Sequence, residues 1–424
     1  MSPMTMAETH NRDASFQQQW GAALKTRVQK ARRRETRKSM LLVAPVILFL
    51  VLTFLVPIAK MFQVSIYDPT LRDLLPNTAR TLDGGSKVTT GNQVWQSLAR
   101  DLVTARDQGK LGIVASRLNA ERPGLRSVVE RTARRAAATD DAPTGQWFAN
   151  IDPAWGEPEI MPMLARATRA FTFDNYLSAL DFRRNEKGSI ASQPQDERIY
   201  RSLYLKTFGV AIAVTILCGV MGYPIAYLMA TSSKATANRL MILVLVPFWT
   251  SMLVRVTAWM VLLQSQGVVN DLLVLAGVVN ENNRVMLIYN LTGTLIAMTH
   301  ILLPFFILPL YSVMVAVPPS YMRAAQSLGA GRFSAFWKVY FPITLPGVGA
   351  GALLVLILAL GYYITPALVG GQSGQMISNM IAFNIQTSLN WGLAAALSIV
   401  LLVVVLALYF VYNRLIGAEN LRMG

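Results

Sequence analysis

Six stretches of about twenty or more predominantly apolar residues run through the chain, at 40–59, 207–230, 240–263, 291–314, 343–368 and 391–412. A helix needs about 20 such residues to cross a hydrocarbon layer of ~30 Å. Polar segments separate the stretches, so the pattern predicts an all-α polytopic membrane protein with six transmembrane helices. A further apolar piece, 268–279, is interrupted by Asp271 and is too short to cross. It predicts an interfacial helix between the third and fourth spans. The run 285–317 exceeds one untilted span, and its first residues are assigned to the same interface.

The polar segments divide the chain into a basic tail at 1–39, the first span at 40–59, a long insert at 60–203, and a five-helix core at 204–424 carrying a polar loop at 318–342. Lys and Arg beside the spans mark the cytoplasmic side. Lys25, Arg27, Lys30, Arg32, Arg33, Arg34, Arg37 and Lys38 precede the first span. Lys234 and Arg239, then Arg323, Arg332 and Lys338, then Arg414 and Arg422 fall on the same side. The opposite loops hold Arg284 within 264–290 and no base within 369–390. Both termini and loop 318–342 are therefore expected in the cytoplasm, with the insert outside. The insert's 20 bases and 17 acids nearly balance, and long domains cross regardless of charge. Its apolar positions Leu98, Leu102, Leu111, Val114 and Leu118 recur at helical spacing. A small helical domain and an elaboration packed on a partner both fit that pattern.

Composition narrows the chemistry. The net charge of +16 would suit nucleic acid, but the tail alone holds nine bases against three acids and most of the remaining excess flanks the spans. Bases so placed set topology and meet anionic lipid headgroups, so a lipid membrane is the expected partner and no nucleic acid is. One cysteine, Cys218, lies inside a span, which excludes an intramolecular disulfide. Neither a Gly-x4-Gly-Lys-Ser/Thr phosphate loop nor a His/Cys cluster of ligand spacing occurs. No catalytic residue, cofactor or metal is expected on this chain. The first span, behind a polar tail and without a small-residue cleavage site, reads as a retained anchor.

Loop 318–342, PPSYMRAAQSLGAGRFSAFWKVYFP, is basic and polar between apolar runs and must face water. Pro318-Pro319-Ser320 stops one helix and starts another, with Ser320 the expected N-cap. Residues 322–328 suit a short helix, and Gly329 suits the positive φ of a reversal. Phe333, Phe336 and Trp337 would line one face of a second helix, with Arg332 and Lys338 on its wet side. Ala324-Ala325 beside this aromatic ridge would fit a groove on a soluble partner. An interfacial helical hairpin without a partner fits the same residues.

The order Ala324-Ala325, Gly329, nine residues, Val339-x-Phe341-Pro342 resembles the coupling motif of bacterial ABC-importer permeases. That motif runs Glu-Ala-Ala, three residues, Gly, nine residues, an aliphatic, one residue, Leu-Pro. Arg323 stands at the family's glutamate, and a guanidinium cannot accept the bonds a carboxylate accepts. Residues 247–259, PFWTSMLVRVTAW, and 361–371, GYYITPALVGG, resemble the third helix and the end of the fifth in the spermidine/putrescine-type branch, with Tyr362 replacing an acid. Residues 171–176, FTFDNY, resemble the segment that there follows the first span, here displaced from it by the insert.

The resemblance implies the type I ABC importer permease fold in a bacterial inner membrane, with a large extracytoplasmic insert. It implies a subunit that is not an enzyme and forms half of an ATP-driven solute pathway. The implied partners are a dimer of ATP-binding subunits, a second permease in a heterodimer, a periplasmic solute-binding protein and a small-molecule substrate. That substrate would be a polyamine or a related small polar organic-nitrogen solute. Arg323, Ala324, Ala325, Gly329, Arg332, Phe333 and Phe336 would dock the ATPase. Trp249, Arg255, Trp259, His300, Tyr362 and Pro366 are path candidates, Pro366 being expected to break the fifth helix.

A charge such as Arg255 inside a span costs about 2.5–3.5 kcal/mol on insertion scales and faces a cavity or locks helices. No Asp or Glu lies in the six spans, although a polyamine cation wants carboxylates. Gly347 and Gly351 predict close helix packing, while Asn290 and His300 either line a path or pack. An ion-coupled secondary transporter and a membrane sensor using the insert are the alternatives. The first usually needs coupling carboxylates, and the second needs a cytoplasmic output domain larger than these loops.

Overall fold

The computed structural model describes residues 40–83, 91–139, 143–184 and 189–420, and the basic tail at 1–39 lies outside them. The chain divides into two units, Met1–Gln63 and Val64–Gly424. The described part of the first belongs to helix α1, Met40–Ile66, which carries a π-helical turn at Val51–Leu55. The helix runs past the expected boundary at 59 because Met61, Phe62, Val64 and Ile66 continue the apolar pattern.

In the second unit the insert builds its own core. Helices α2 (Thr70–Leu74), α3 (Pro76–Asp83), α4 (Gly91–Asp107), α5 (Leu111–Glu121), α6 (Leu125–Ala136), α7 (Gly145–Ile151) and α8 (Ile160–Ala167) enclose it. Of the positions singled out by spacing, Leu98, Leu102, Val114 and Leu118 are fully buried there and Leu111 is partly buried against them. Trp95, Phe148 and Trp155 fill the centre with ring separations of 4.7 and 5.4 Å. The indole N–H of Trp155 donates to Thr132 at 2.8 Å, so the buried ring leaves no polar atom unpaired. Buried Asp101 caps α3, accepting from the backbone N–H and side chain of both Asn77 and Thr78. A carboxylate there satisfies orphan donors and meets the positive end of the helix.

The insert leaves the chain and returns to it at one place. Tyr67 pairs with Phe171 in an antiparallel bridge, flanked by hydrogen bonds Asp68 N to Ala170 O and Thr172 N to Ile66 O, each 2.9 Å. The Tyr176 hydroxyl lies 2.7 Å from that of Ser65, and Asn175 donates to Ser65 O at 3.1 Å. The segment 171–176, distant in sequence from the end of α1, is thus held against it. Adjacent ends let a domain be inserted without disturbing its host. Arg117 fastens the insert to the core, pairing with Asp68 and donating at 3.0 Å to Asn390, which caps the last span.

Helix α9 (Asp174–Ala179) and the hairpin of β1 (Phe182–Arg184) with β2 (Ile190–Ser192) lead to the core, α10–α19. Buried Asp181 accepts from Tyr200 N at 3.0 Å and Arg201 N at 2.7 Å, capping helix α10, Tyr200–Thr231. Helix α11 (Lys234–Trp249) and α12 (Met252–Leu262) follow, bent by 98°. The third span is therefore a bent pair rather than the single helix expected over 240–263. Pro247 cannot donate within the last turn of α11, and Thr250, extended, turns its hydroxyl back on Pro247 O at 2.9 Å.

The short helix expected within 268–279 forms as α13, Val268–Leu275, stapled by Asn270 to Gln264 O and Val285 O at 3.0 Å each. Helix α14 is Leu291–Val315, started by Asn290, whose side chain caps it at Gly293 N at 2.9 Å. Helix α15 (Pro319–Ser327) and α16, one helical run from Arg332 to Gly361 with a π-turn at Phe336–Tyr340, come next. Helices α17 (Ile364–Val369), α18 (Ile377–Gln386) and α19 (Trp391–Asn420) complete the chain.

The break after α16 falls at Tyr362, ahead of Pro366. Pro366 occupies the first turn of α17, where no N–H is required, and is buried. It does not make the break. Ser378 donates to the Tyr362 carbonyl at 2.5 Å, and Asn379 donates at 2.9 Å to that of Tyr363, which also accepts from Ala367 N at 3.0 Å. Carbonyls at membrane depth need such partners.

The densest contact joins α10, α14 and α16 around buried Phe306. A Cβ on Gly351 would stand 2.8 Å from Phe306 O, and one on Gly347 2.9 Å from Val313 Cβ. Gly351→Ala is expected to lower the thermal midpoint of the detergent-solubilised chain, forcing helices apart at a cost of about 1–3 kcal/mol. Gly209→Ala, with nothing within 4 Å, is expected to leave it unchanged or raised. Asp101→Ala should loosen the insert by about 2–3 kcal/mol, read as faster amide hydrogen exchange at Asn77 and Thr78.

Candidate coupling surface and path

Loop 318–342 folds into α15, a reversal at Gly329 and the start of α16. Helix α15 begins at Pro319, with Pro318 as its N-cap and no side-chain cap. Ser320, expected at that cap, is the second residue of the helix. The fixed φ of Pro319 and its missing N–H suit the first helical position, which removes the need for a serine cap. Gly329 has φ of +90°, with no atom within 4 Å of the place a Cβ would take. Backbone conformation, not space, selects glycine there.

Met322 of α15 is half-buried against the core, and the opposite side is open. Tyr321, Leu328, Phe333 and Trp337 are exposed by 51, 89, 78 and 48%. Arg323, Ala324, Gly329 and Arg332 are exposed beside them, and Ala325 is half-buried. Leu328, the most exposed of the four, was not among the residues singled out by motif. Its signal was an apolar side chain just before the reversal in an otherwise polar loop.

Phe336 does not join this surface. Its ring lies 5.6 Å from Tyr227, 5.9 Å from Tyr223 and 5.9 Å from Tyr340. Tyr223 continues the chain of contacts through its hydroxyl, 3.0 Å from that of Thr344. The π-turn at Phe336–Tyr340 adds a residue to the helix at this point, which rotates its faces. Phe336 and Tyr340 thereby face α10 while Phe333 and Trp337 face outward. The surface is consequently the end of α16 itself, tied by rings to α10.

The far end of α16 stops at Tyr362. Tyr362 and Trp259 are half-buried on one cluster with Val256, Ile301 and Val369, where α12, α14 and α17 meet. The Trp259 indole N–H donates to His300 Nδ1 at 3.1 Å, with the rings edge-on at 5.3 Å. Arg255 is half-buried on α12, one turn before Trp259. Three path candidates, Trp259, His300 and Tyr362, are thus brought together. Trp249 is not; it ends α11 before the bend and is 75% exposed. Pro366 is buried on α17.

Multi-span helices, a bent third span, and a reversal carrying the small–glycine–aliphatic–proline pattern define a transport permease. Residues 222–418 match the family described as binding-protein-dependent transport system inner membrane component. The spermidine/putrescine transport system permease protein PotB of Escherichia coli K12 is 32% identical over 244 residues, covering 58% of this chain and 82% of that protein. PotB of Haemophilus influenzae is 34% identical over 216 residues, covering 51% and 75%. A solved bacterial alginate ABC transporter chain aligns with TM-score 0.43 and 17% identity over 51% of this chain and 78% of that one.

The chain belongs to the binding-protein-dependent inner-membrane permease family: it is the permease subunit of an ABC importer, a multi-pass protein of the inner membrane. The members of this family are not themselves catalytic. The family match begins at residue 222, so the 60–203 segment lies outside the matched region.

Phe336→Ala should lower the thermal midpoint in detergent by removing a half-buried ring, at a cost of about 2–3 kcal/mol. Phe333→Ala, 78% exposed, should stay within about 0.5 kcal/mol of the parent.

Proposed function

We propose that the open ridge of Tyr321, Leu328, Phe333 and Trp337, with Arg323, Ala324, Gly329 and Arg332 around it, docks a separate ATP-binding subunit in the cytoplasm. The single observation that carries this is an exposed apolar cluster on the loop joining α14 to α16, with Phe333 and Trp337 on the first turns of α16, a helix long and apolar enough to cross a membrane. A soluble partner's groove would cover it.

Helix α16 spans 30 residues, about 45 Å at the α-helical rise. A push at Phe333 and Trp337 would travel along it to Tyr362, while the Phe336–Tyr223–Tyr227 rings carry α10 with it. ATP binding on the partner would thus move the walls around Arg255, Trp259, His300 and Tyr362. Both chain termini lie inside on this reading, and the insert lies outside. Two permeases, this chain and a related one, form the pathway above an ATPase dimer, and a periplasmic solute-binding protein supplies the solute. The solute is a polyamine or a related small organic-nitrogen compound, a reading supported by the names of the PotB relatives.

The test is purification of the complex from its native membrane in mild detergent. A P-loop ATPase should co-purify with the parent chain and be lost with Leu328→Asp, Phe333→Asp and Gly329→Val. Ile113→Asp, an exposed apolar position in the insert, should retain it. Recovery of the chain alone, under conditions that keep a known importer intact, would refute the docking surface.

A further inference from the structure

Arg255 is the one charged side chain in the path cluster, and nothing in the described chain pairs with it. Its Nε is buried without a hydrogen-bond partner. Two of the other three such atoms among the described residues are Thr299 Oγ1 on α14 and Thr365 Oγ1 on α17. These three belong to the three elements that meet around Val256, Ile301 and Val369. Buried polar groups in proteins are ordinarily satisfied, so the buried Nε of Arg255 calls for a partner that the described residues do not supply.

The donor pattern says what would bind. His300 Nδ1 accepts from Trp259, which leaves the proton of a neutral imidazole on Nε2, free to donate. The Arg255 guanidinium can only donate, and the hydroxyl of Tyr362, in the same cluster as Trp259, can donate as well. The three donors stand on elements packed around one cluster, which holds Trp259 and Tyr362 and to which His300 is bonded through Trp259; with one of them permanently cationic, they match an acceptor-only anion. The six spans contain no Asp or Glu to neutralise that charge or to receive a cation.

Resting on the permease reading above, we propose that Arg255, His300 and Tyr362 form a carboxylate-accepting subsite of the path, with Trp259 positioning His300. The solute is then an organic-nitrogen compound that also bears an acidic group, an ω-amino acid or similar zwitterion, rather than a bare polyamine. A polyamine would meet Arg255 with like charge; an amino acid presents its carboxylate to Arg255 and its ammonium to the aromatic faces of Trp259 and Tyr362.

The test uses the purified importer, with its co-purifying subunits, in ATP-loaded proteoliposomes. Labelled α,ω-diamines and ω-amino acids of equal chain length are compared, with spermidine included. Amino acids are expected to accumulate about tenfold or more over the matched diamines, the factor that one charge-assisted hydrogen bond supplies. Arg255→Gln should abolish that preference with recovery of every subunit unchanged, and Arg255→Lys should restore part of it.

Accumulation of diamines or spermidine equal to or above the amino acids overturns the proposal, as does accumulation of neither class. Loss of the second permease from the complex with Arg255→Gln also overturns it, because Arg255 would then be pairing across the subunit interface. Failure of the ATPase to co-purify with the parent chain is a separate result, and it fails the docking reading instead.

Discussion

The close approach of α14 and α16 at Gly347 and Gly351 is the contact on which the core depends. In lipid, apolar side chains gain little by leaving the solvent, so helices associate through van der Waals packing and buried polar bonds. Such packing needs backbones near each other. Glycines provide that here, where the Gly351 Cα faces the Phe306 carbonyl and Gly347 faces Val313. Phe306, inserted between α10, α14 and α16, fills the space where the three meet, and the Gly222 surface of α10 admits it. A rigid three-helix centre lets one end of α16 move with the other.

The second constraint is that each interrupted helix must satisfy the groups it frees. At the bend between α11 and α12, Thr250 turns back on the Pro247 carbonyl. At the end of α16, Ser378 and Asn379 reach over from α18 to Tyr362 and Tyr363. The path cluster lies between these two breaks, where α12, α14 and α17 converge. Irregular backbone is tolerated at membrane depth only when it is so covered or lines a cavity. The breaks and the polar side chains of Arg255 and His300 therefore belong to the same place for one reason.

The insert follows a different logic. It has an aromatic core and a buried cap at Asp101, as a small soluble domain does, and it is spliced into the host at the Tyr67–Phe171 bridge. Helical spacing between 95 and 137 disclosed its helices, because their apolar positions are four or so apart on one face. Spacing could not disclose the splice. Phe171–Tyr176 looked remote from the end of α1 and is hydrogen-bonded to it, since proximity across a hundred residues is set by chain folding and not by local pattern. The same limit hid the side Phe336 would take: a π-turn shifts the helical register, and no residue type announces it. It hid the break at Tyr362 as well, which depends on Ser378 and Asn379 of another helix.

The sequence by itself determined the membrane class, the approximate places of the spans, the short helix at α13, the reversal at Gly329 and the close helix packing at Gly347 and Gly351. All of these rest on length, periodicity or backbone freedom, which are local. The tertiary structure alone decided that the third span bends by 98°, that Pro366 is buried, that Leu328 is the most exposed of the ridge, and that Trp259, His300 and Tyr362 come together beside Val256, Ile301 and Val369. Each of those depends on which helix lies beside which. That choice is made by packing and by the satisfaction of polar groups between segments far apart in the chain.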